Sequence, residues 1–180
     1  MKFVKYLVFT FAIFCAVAFL LPKDRYVSRS IDIDQDIEFV FDQVNTLKNW
    51  ESWSGWKELD TLASLEYSSK ESGKGAWQTW NSPTAGERKI TIVKSIANKQ
   101  IETSIDFYEQ GRDSGKWAFS HKNGTTTVSW TYHVNMGYNP LARWIGLFIN
   151  DSLEQSLQIS LEKLKEICQE KSLEQTLENA

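Results

Sequence analysis

A chain of 180 residues with 42% hydrophobic and 24% charged residues, 3 Pro and 9 Gly has room for one globular domain and excludes a disordered or low-complexity polymer. Its net charge of −3, with Lys and Arg dispersed along the chain, excludes the basic stripe that a nucleic-acid partner requires. Two cysteines (Cys15, Cys168) and two histidines (His121, His133) are too few and too scattered for a disulfide framework or a metal site, so neither metal nor cofactor is expected.

The chain opens with MKFVKYLVFTFAIFCAVAFLLPKDR. Tyr6 to Leu21 carries no charge, Lys2 and Lys5 precede it, and Pro22 ends it. As a helix this run spans ~24 Å, which nearly matches a ~30 Å hydrocarbon core. Residues 1–23 are therefore expected to be an uncleaved single-pass signal anchor, with the membrane as a partner and the domain on the periplasmic or extracytoplasmic side. Cleavage after Ala18, at Ala16-Val17-Ala18, is the competing reading, but it would leave Phe19-Leu20-Leu21 exposed at the new N-terminus.

Tyr26–Ile33 alternates as a strand. Asp34 reads as the cap of a helix carrying Ile37, Val40, Phe41 and Val44, and Leu47–Trp53 as a second short helix ended by Ser54-Gly55. Six alternating runs follow: 61–68, 75–81, 87–97, 100–109, 113–121 and 125–136. Their separators are short and turn-rich, Asn123-Gly124 above all, which predicts an antiparallel meander. Asn139-Pro140 then opens one long helix. Leu153, Leu157, Leu161, Leu164 and Cys168 form its apolar stripe, and Leu141, Ile145, Phe148 and Ile149 extend it upstream. Residues 171–180 read as a polar tail. A strand, two short helices, six strands and a long helix predict an α+β fold in which a curved antiparallel sheet grips that helix.

Several stretches resemble the polyketide cyclase/dehydrase-like branch of the START-like (SRPBCC) superfamily. They are the strand ending in SIDID, the helix with VFDQV, NWESWSGW, GKGAWQTWN, IANKQIETSIDF, KWAFSHKNGTTTVSWTY and NPLARWIGLFI, which together span residues 24–168. The resemblance implies the helix-grip fold over a domain of residues 24–170 and a hydrophobic cavity between sheet and helix. It implies no reaction, because the fold carries many functions.

Cavity candidates follow from strand parity. On the last strand Trp130 and Tyr132 share the apolar face with Val128 and Val134; Trp117 and Phe119 share one on the strand before, and Phe107 shares one with Ile101, Thr103 and Ile105. Trp77 and Trp80 fall on opposite faces, and the resemblance points Trp80 inward. Trp144 and Phe148 are placed to close the cavity from the long helix. Trp50, Trp53 and Trp56 either wedge the short helices against the sheet or, as Trp53 and Trp56, line the cavity mouth.

Catalytic groups are scarce. His133 falls on the outer face, His121 beside a hairpin turn, and Arg143 reads as a surface cation at a helix start. No nucleophile–base set or phosphate loop is present, so no catalytic residue is assigned. The expected function is membrane-anchored binding of a hydrophobic, lipid-like small molecule. The alternatives are a polyketide cyclase or dehydratase, favoured by a buried acid or Arg with a shifted pKa, and an interaction module with a filled cavity.

Overall fold

In a computed structural model of the chain the alternating runs pair as seven strands: β1 (Asp24–Ile33), β2 (Ser64–Tyr67), β3 (Trp77–Ser82), β4 (Gly86–Ile96), β5 (Gln100–Asp106), β6 (Arg112–Lys122) and β7 (Thr125–Asn135). The structure describes residues 2–55, 60, 62–84, 86–108 and 111–178, the last eight as backbone. All neighbours are antiparallel, in the order β1-β7-β6-β5-β4-β3-β2. The meander is thus β2 to β7, and β1 returns to pair with β7 from Asp24↔Asn135 to Ile33↔Thr126. Asn123 and Gly124 join β6 to β7 with φ of 54° and 83°, the left-handed pair that a two-residue hairpin turn requires.

The helices are α1 (Lys2–Ala18), α2 (Ile37–Asn45), the short α3 (Trp50–Trp53), which follows a 3-10 turn at Leu47–Asn49, α4 (Pro140–Ile145) and α5 (Ile149–Glu178). The buried apolar face of α5 is Leu157, Leu161, Leu164 and Cys168, and it belongs to one core cluster with Ile90, Ile92, Ile101, Ile105, Trp117 and Val128 of the sheet. This is an α+β helix-grip fold.

Three local expectations change. Helix α2 starts at Ile37 with Asp36 at its cap position, because the Asp34 carboxylate instead accepts a hydrogen bond from Thr125 Oγ1 at 2.8 Å. The backbone of α5 stays helical through Glu178, into the segment expected as a polar tail. The long helix is also two helices. Asn139 does cap the first, its Oδ1 accepting from the amides of Leu141 at 3.0 Å and Ala142 at 3.3 Å. The chain then turns at Gly146–Phe148, where Leu147 N donates to Trp144 O and Phe148 N to Ile145 O in tight i→i−3 bonds. Glycine is a poor helix former, and a Cβ on Gly146 would sit 3.0 Å from Met136 Cε. The break rotates Leu141, Ile145 and Phe148 off the stripe of α5, and all three are exposed.

The expected transmembrane anchor, and the extracytoplasmic placement that went with it, are overturned: among the described residues no helix is long and apolar enough to cross a membrane. Helix α1 has 17 residues and a length of ~26 Å. The apolar run does not continue as helix beyond Ala18, because Phe19, Leu20 and Leu21 form a tight turn through i→i−3 bonds. Arg143 holds that turn. Expected at the surface, it is 5% exposed. Its Nη1 donates to Phe19 O at 3.1 Å and Leu21 O at 3.4 Å, and Nε and Nη2 donate to Gly137 O at 3.0 and 2.9 Å. Its guanidinium lies 5.2 Å from the Phe19 ring centroid.

Arg143→Met keeps the side chain's bulk but leaves these carbonyls without their donor. It is expected to cost about 2–3 kcal/mol, and to release the 19–21 turn first. Urea unfolding gives the loss, and faster amide exchange at residues 19–21 localises it.

Candidate ligand-binding pocket

Strand parity sets Arg88, Ile90 and Ile92 of β4 on one face. The two isoleucines are core, but Arg88 lines a pocket of about 310 Å³ between the sheet and α5. Phe107, Trp130 and Tyr132 wall the sheet side, and Leu153 and Leu157 wall the helix side. The Ser54-Gly55 turn that ends α3 completes the lining with Ser156, Ile159, Ser160 and Lys163 of α5. Gly55 sits at φ 73°, the left-handed conformation that ends a helix cheaply only with glycine. Ser160 Oγ lies 2.9 Å from Ser156 O and 3.2 Å from Ser54 O, and so ties α5 to that turn.

The wall is mostly apolar, and its polar groups are of two kinds. Among the described lining residues the formal charges are Arg88 and Lys163, both positive. Burial pulls the Arg88 guanidinium below the usual arginine range, while the Tyr132 phenol and Asp60 act in the opposite direction. The guanidinium lies 4.8 Å over the Trp80 ring. The second kind is a dyad of a buried phenol and a half-buried carboxylate. Tyr132 Oη donates to Asp113 Oδ2 at 3.0 Å, and Asp113 Oδ1 accepts from the amide of Asn135 at 3.0 Å. Burial pushes the Asp113 carboxyl up against the pull of those two donors. Burial first, then the neighbouring Asp113 charge, pushes the Tyr132 phenol up. Tyr132 therefore remains a neutral hydroxyl at neutral pH.

The expected site residues separate into groups. Phe107, Trp130 and Tyr132 meet at the pocket. Trp53 and Trp117 are fully buried in the core instead, with their ring centroids 5.7 Å apart. Phe119 packs edge-on to Phe41 at 5.2 Å. Trp80 is buried and faces inward opposite Arg88, but it lies beneath the guanidinium rather than on the pocket wall. Trp144 and Phe148 do not close the cavity. The break at Gly146 turns Trp144 onto α1, where it stacks on Phe14 at 5.1 Å, and leaves Phe148 80% exposed. Trp56 lies outside the described residues.

The polar lining was missed. Arg88 had a readable signal, its shared parity with Ile90 and Ile92. Lys163 had none, since it sits off the apolar stripe. The histidines take no part. His121 is exposed, with Nδ1 2.9 Å from Thr126 Oγ1, and His133 Nε2 lies 2.9 Å from Asp24 Oδ1 on the outer face. Among the described residues no cluster of His, Cys, Asp or Glu is placed to hold a metal ion.

Residues 25–169 match the profile of the family described as polyketide cyclase / dehydrase and lipid transport. The chain belongs to that family. Its fold recurs in a protein of unknown function, SA2116, from Staphylococcus aureus, with a TM-score of 0.61 at 10% identity over 84% of this chain and 98% of that one. It recurs in CalU16 from Micromonospora echinospora, with a TM-score of 0.53 at 8% identity over 79% and 73% of the two chains. Ara h 8.0201 gives 0.56 at 12% identity over 82% and 99%. Identities this low show the fold alone. Comparison with curated proteins gives no match. In this member of the polyketide cyclase/dehydrase and lipid transport family the pocket lies between the two parts that define the helix-grip fold, the concave sheet and the long helix.

Because the folded state raises the Asp113 pKa, the stabilising contribution of its protonated form is complete below the unfolded value of ~4. It is lost as pH rises through the folded value. Asp113→Asn, which cannot ionise, should therefore gain Tm relative to the wild type as pH rises from about 4 to 7. Asp24, lowered chiefly by its hydrogen bond to His133, acts with the opposite sign but is present in both proteins. A Tm difference that stays flat across this range would show that Asp113 titrates normally.

Proposed function

We propose that this protein binds a hydrophobic small molecule in the pocket between β4, β7 and α5. The observation that carries the reading is the pocket itself. Its volume of about 310 Å³ sits at the lower end of the ~300–1,000 Å³ range of ligand sites, and its wall is built from Phe107, Trp130, Leu153 and Leu157. The family description, which includes lipid transport, supports the same chemistry. A fully packed interior, the alternative of a pure interaction module, is at odds with a cavity of this size.

One observation favours a second reading, acid–base chemistry on the bound molecule. A phenol in the pocket wall is held by a half-buried carboxylate, and burial shifts Arg88 and Asp113 as well. Such groups are what a cyclase or dehydratase of this family would use to move a proton. Tyr132→Phe separates the two readings. Pure binding predicts an affinity within about threefold of wild type, and catalysis predicts retained binding with turnover of polyketide-like test compounds abolished.

The test of the primary reading is native mass spectrometry of the full-length chain purified from cells, followed by extraction of whatever is bound. A stoichiometric apolar adduct is expected. Ser156→Trp, at an exposed helix position on the pocket wall, should plug the pocket and remove the adduct without unfolding the protein. Phe148→Ala, remote from the pocket, should leave it bound. A clean apo mass with no uptake of added fatty acids or sterols would exclude this function.

A further inference from the structure

We propose that α1 is a dimerisation arm. Two copies of this chain pair their α1 helices antiparallel, and each arm seats its N-terminal half in the angle between α1 and α4 of the other. The inference is independent of the ligand pocket.

Three observations carry it. First, α1 is apolar on every side and uncovered for most of its length. Every residue from Lys2 to Phe14 is exposed, and the arm meets α4 near its C-terminal end, where Phe14 stacks on Trp144. A helix that is hydrophobic all round is normally buried. Second, the exposed area is that of an interface. Phe3, Tyr6, Phe9 and Phe11 are each at least 65% exposed. These four rings alone leave ~400–700 Å² in water. The largest patch on a monomer is ~300–600 Å², and a stable interface takes ~800 Å² from each partner. The apolar surface continues beside Trp144, where Leu141, Ile145 and Phe148 are exposed. Third, one flank of the arm is open down to its base. Cys15 and Ala18 are partly and fully buried, whereas Ile13 and Val17, on the other flank of Phe14, are exposed.

Phe3, Tyr6, Thr10, Ile13 and Val17 run along that open flank at alternating steps of three and four, the spacing of a helix–helix seam. Pairing about Thr10, at the middle of Lys2–Ala18, sets the N-terminal half of each arm beside the C-terminal half of the other, where α4 is packed. The contact is two-fold and closes on itself. It keeps the Lys2 and Lys5 charges of the two arms at opposite ends, whereas a parallel pair would bring them together. A lipid surface fits less well. A helix lying in it turns a polar face to water, and from Leu7 to Ala18 the only hydroxyl or charged side chain is Thr10.

Sedimentation equilibrium of the full-length chain in detergent-free buffer, at about 20 μM, is expected to give twice the chain mass. Tyr6→Glu/Ile13→Glu, at exposed positions of the seam, should raise the dimer dissociation constant at least about 100-fold and leave the domain folded. In a Cys15→Ser background, with Cys168 buried, Thr10→Cys should form an intermolecular disulfide under mild oxidation and Phe3→Cys should not. A wild-type monomer, or a polydisperse set of larger species, would overturn the proposal. So would a monomer that floats with phosphatidylglycerol vesicles, which would make lipid the occupant. A dimer that survives the double variant, or a disulfide through Phe3→Cys, would overturn the antiparallel seam.

Discussion

The stacking of Trp117 on Trp130, centroids 4.1 Å apart and planes within 18°, is the contact on which the rest of this fold depends. It joins β6 to β7 on the concave face, and Trp53 of α3 meets both rings edge-on at 5.7 and 6.5 Å. Trp50 joins from the same helix at 5.8 Å from Trp117. Gly115 makes the arrangement possible. A Cβ there would lie 2.7 Å from Thr103 Oγ1 and 3.3 Å from Trp130 Nε1, so any side chain would push into the cluster. Burial of a tryptophan removes ~150–250 Å² from water, an upper bound of ~4–6 kcal/mol, whereas ring geometry adds only ~0.5–1.5 kcal/mol per pair. Area therefore holds the cluster together, and ring orientation decides which way it faces.

The cluster is unequal in its polar accounts. Trp50 Nε1 donates to Val44 O at 2.8 Å and Trp53 Nε1 to Gln43 O at 3.2 Å. Those carbonyls lie in the last turn of α2, where a helix has no internal donors left to satisfy them. The close spacing of tryptophans in NWESWSGW thus has a physical reason. Trp50 and Trp53 fill the core and also terminate the preceding helix. The indole N–H groups of Trp117 and Trp130 have no hydrogen-bond partner among the described residues. Each such group costs ~1–3 kcal/mol, less than the area term of its own ring, so the stack survives two of them.

The legible parts of this chain were those set by local period. The strands, the Asn123-Gly124 turn, the Asn139 cap and the stripe from Leu153 to Cys168 follow from alternation, left-handed turn chemistry and helical spacing. What could not be read depended on one partner meeting another far away in sequence. Arg143 resembles any cation at a helix start until the Phe19–Leu21 turn is brought to it, more than 120 residues distant. The apolar run at the N-terminus has the composition of a membrane span, but its helix stops at Ala18, and no helix among the described residues is long and apolar enough to cross a membrane. Phe148 was misplaced by a smaller error. A stripe extended through Gly146 as continuous helix assigns the wrong face to everything upstream of the break.

The candidate site was half legible for a related reason. Aromatic residues on inward parity identify a concave wall, but parity alone does not separate residues that fill the core from those that border a space. That division is made along α5. The C-terminal part of its stripe, Leu161, Leu164 and Cys168, is wholly buried, whereas Leu153 borders the pocket and Leu157 does both. The sheet is divided in the same way, with Trp117 inside the cluster and Trp130 as its last ring and the first wall of the pocket. Pocket lining and core contacts therefore share single side chains. Under the proposed binding function, a molecule in this pocket would press on the same tryptophan that holds β6 to β7, and occupancy and stability would be coupled through Trp130. Anything that binds only the folded state must then raise its stability by mass action.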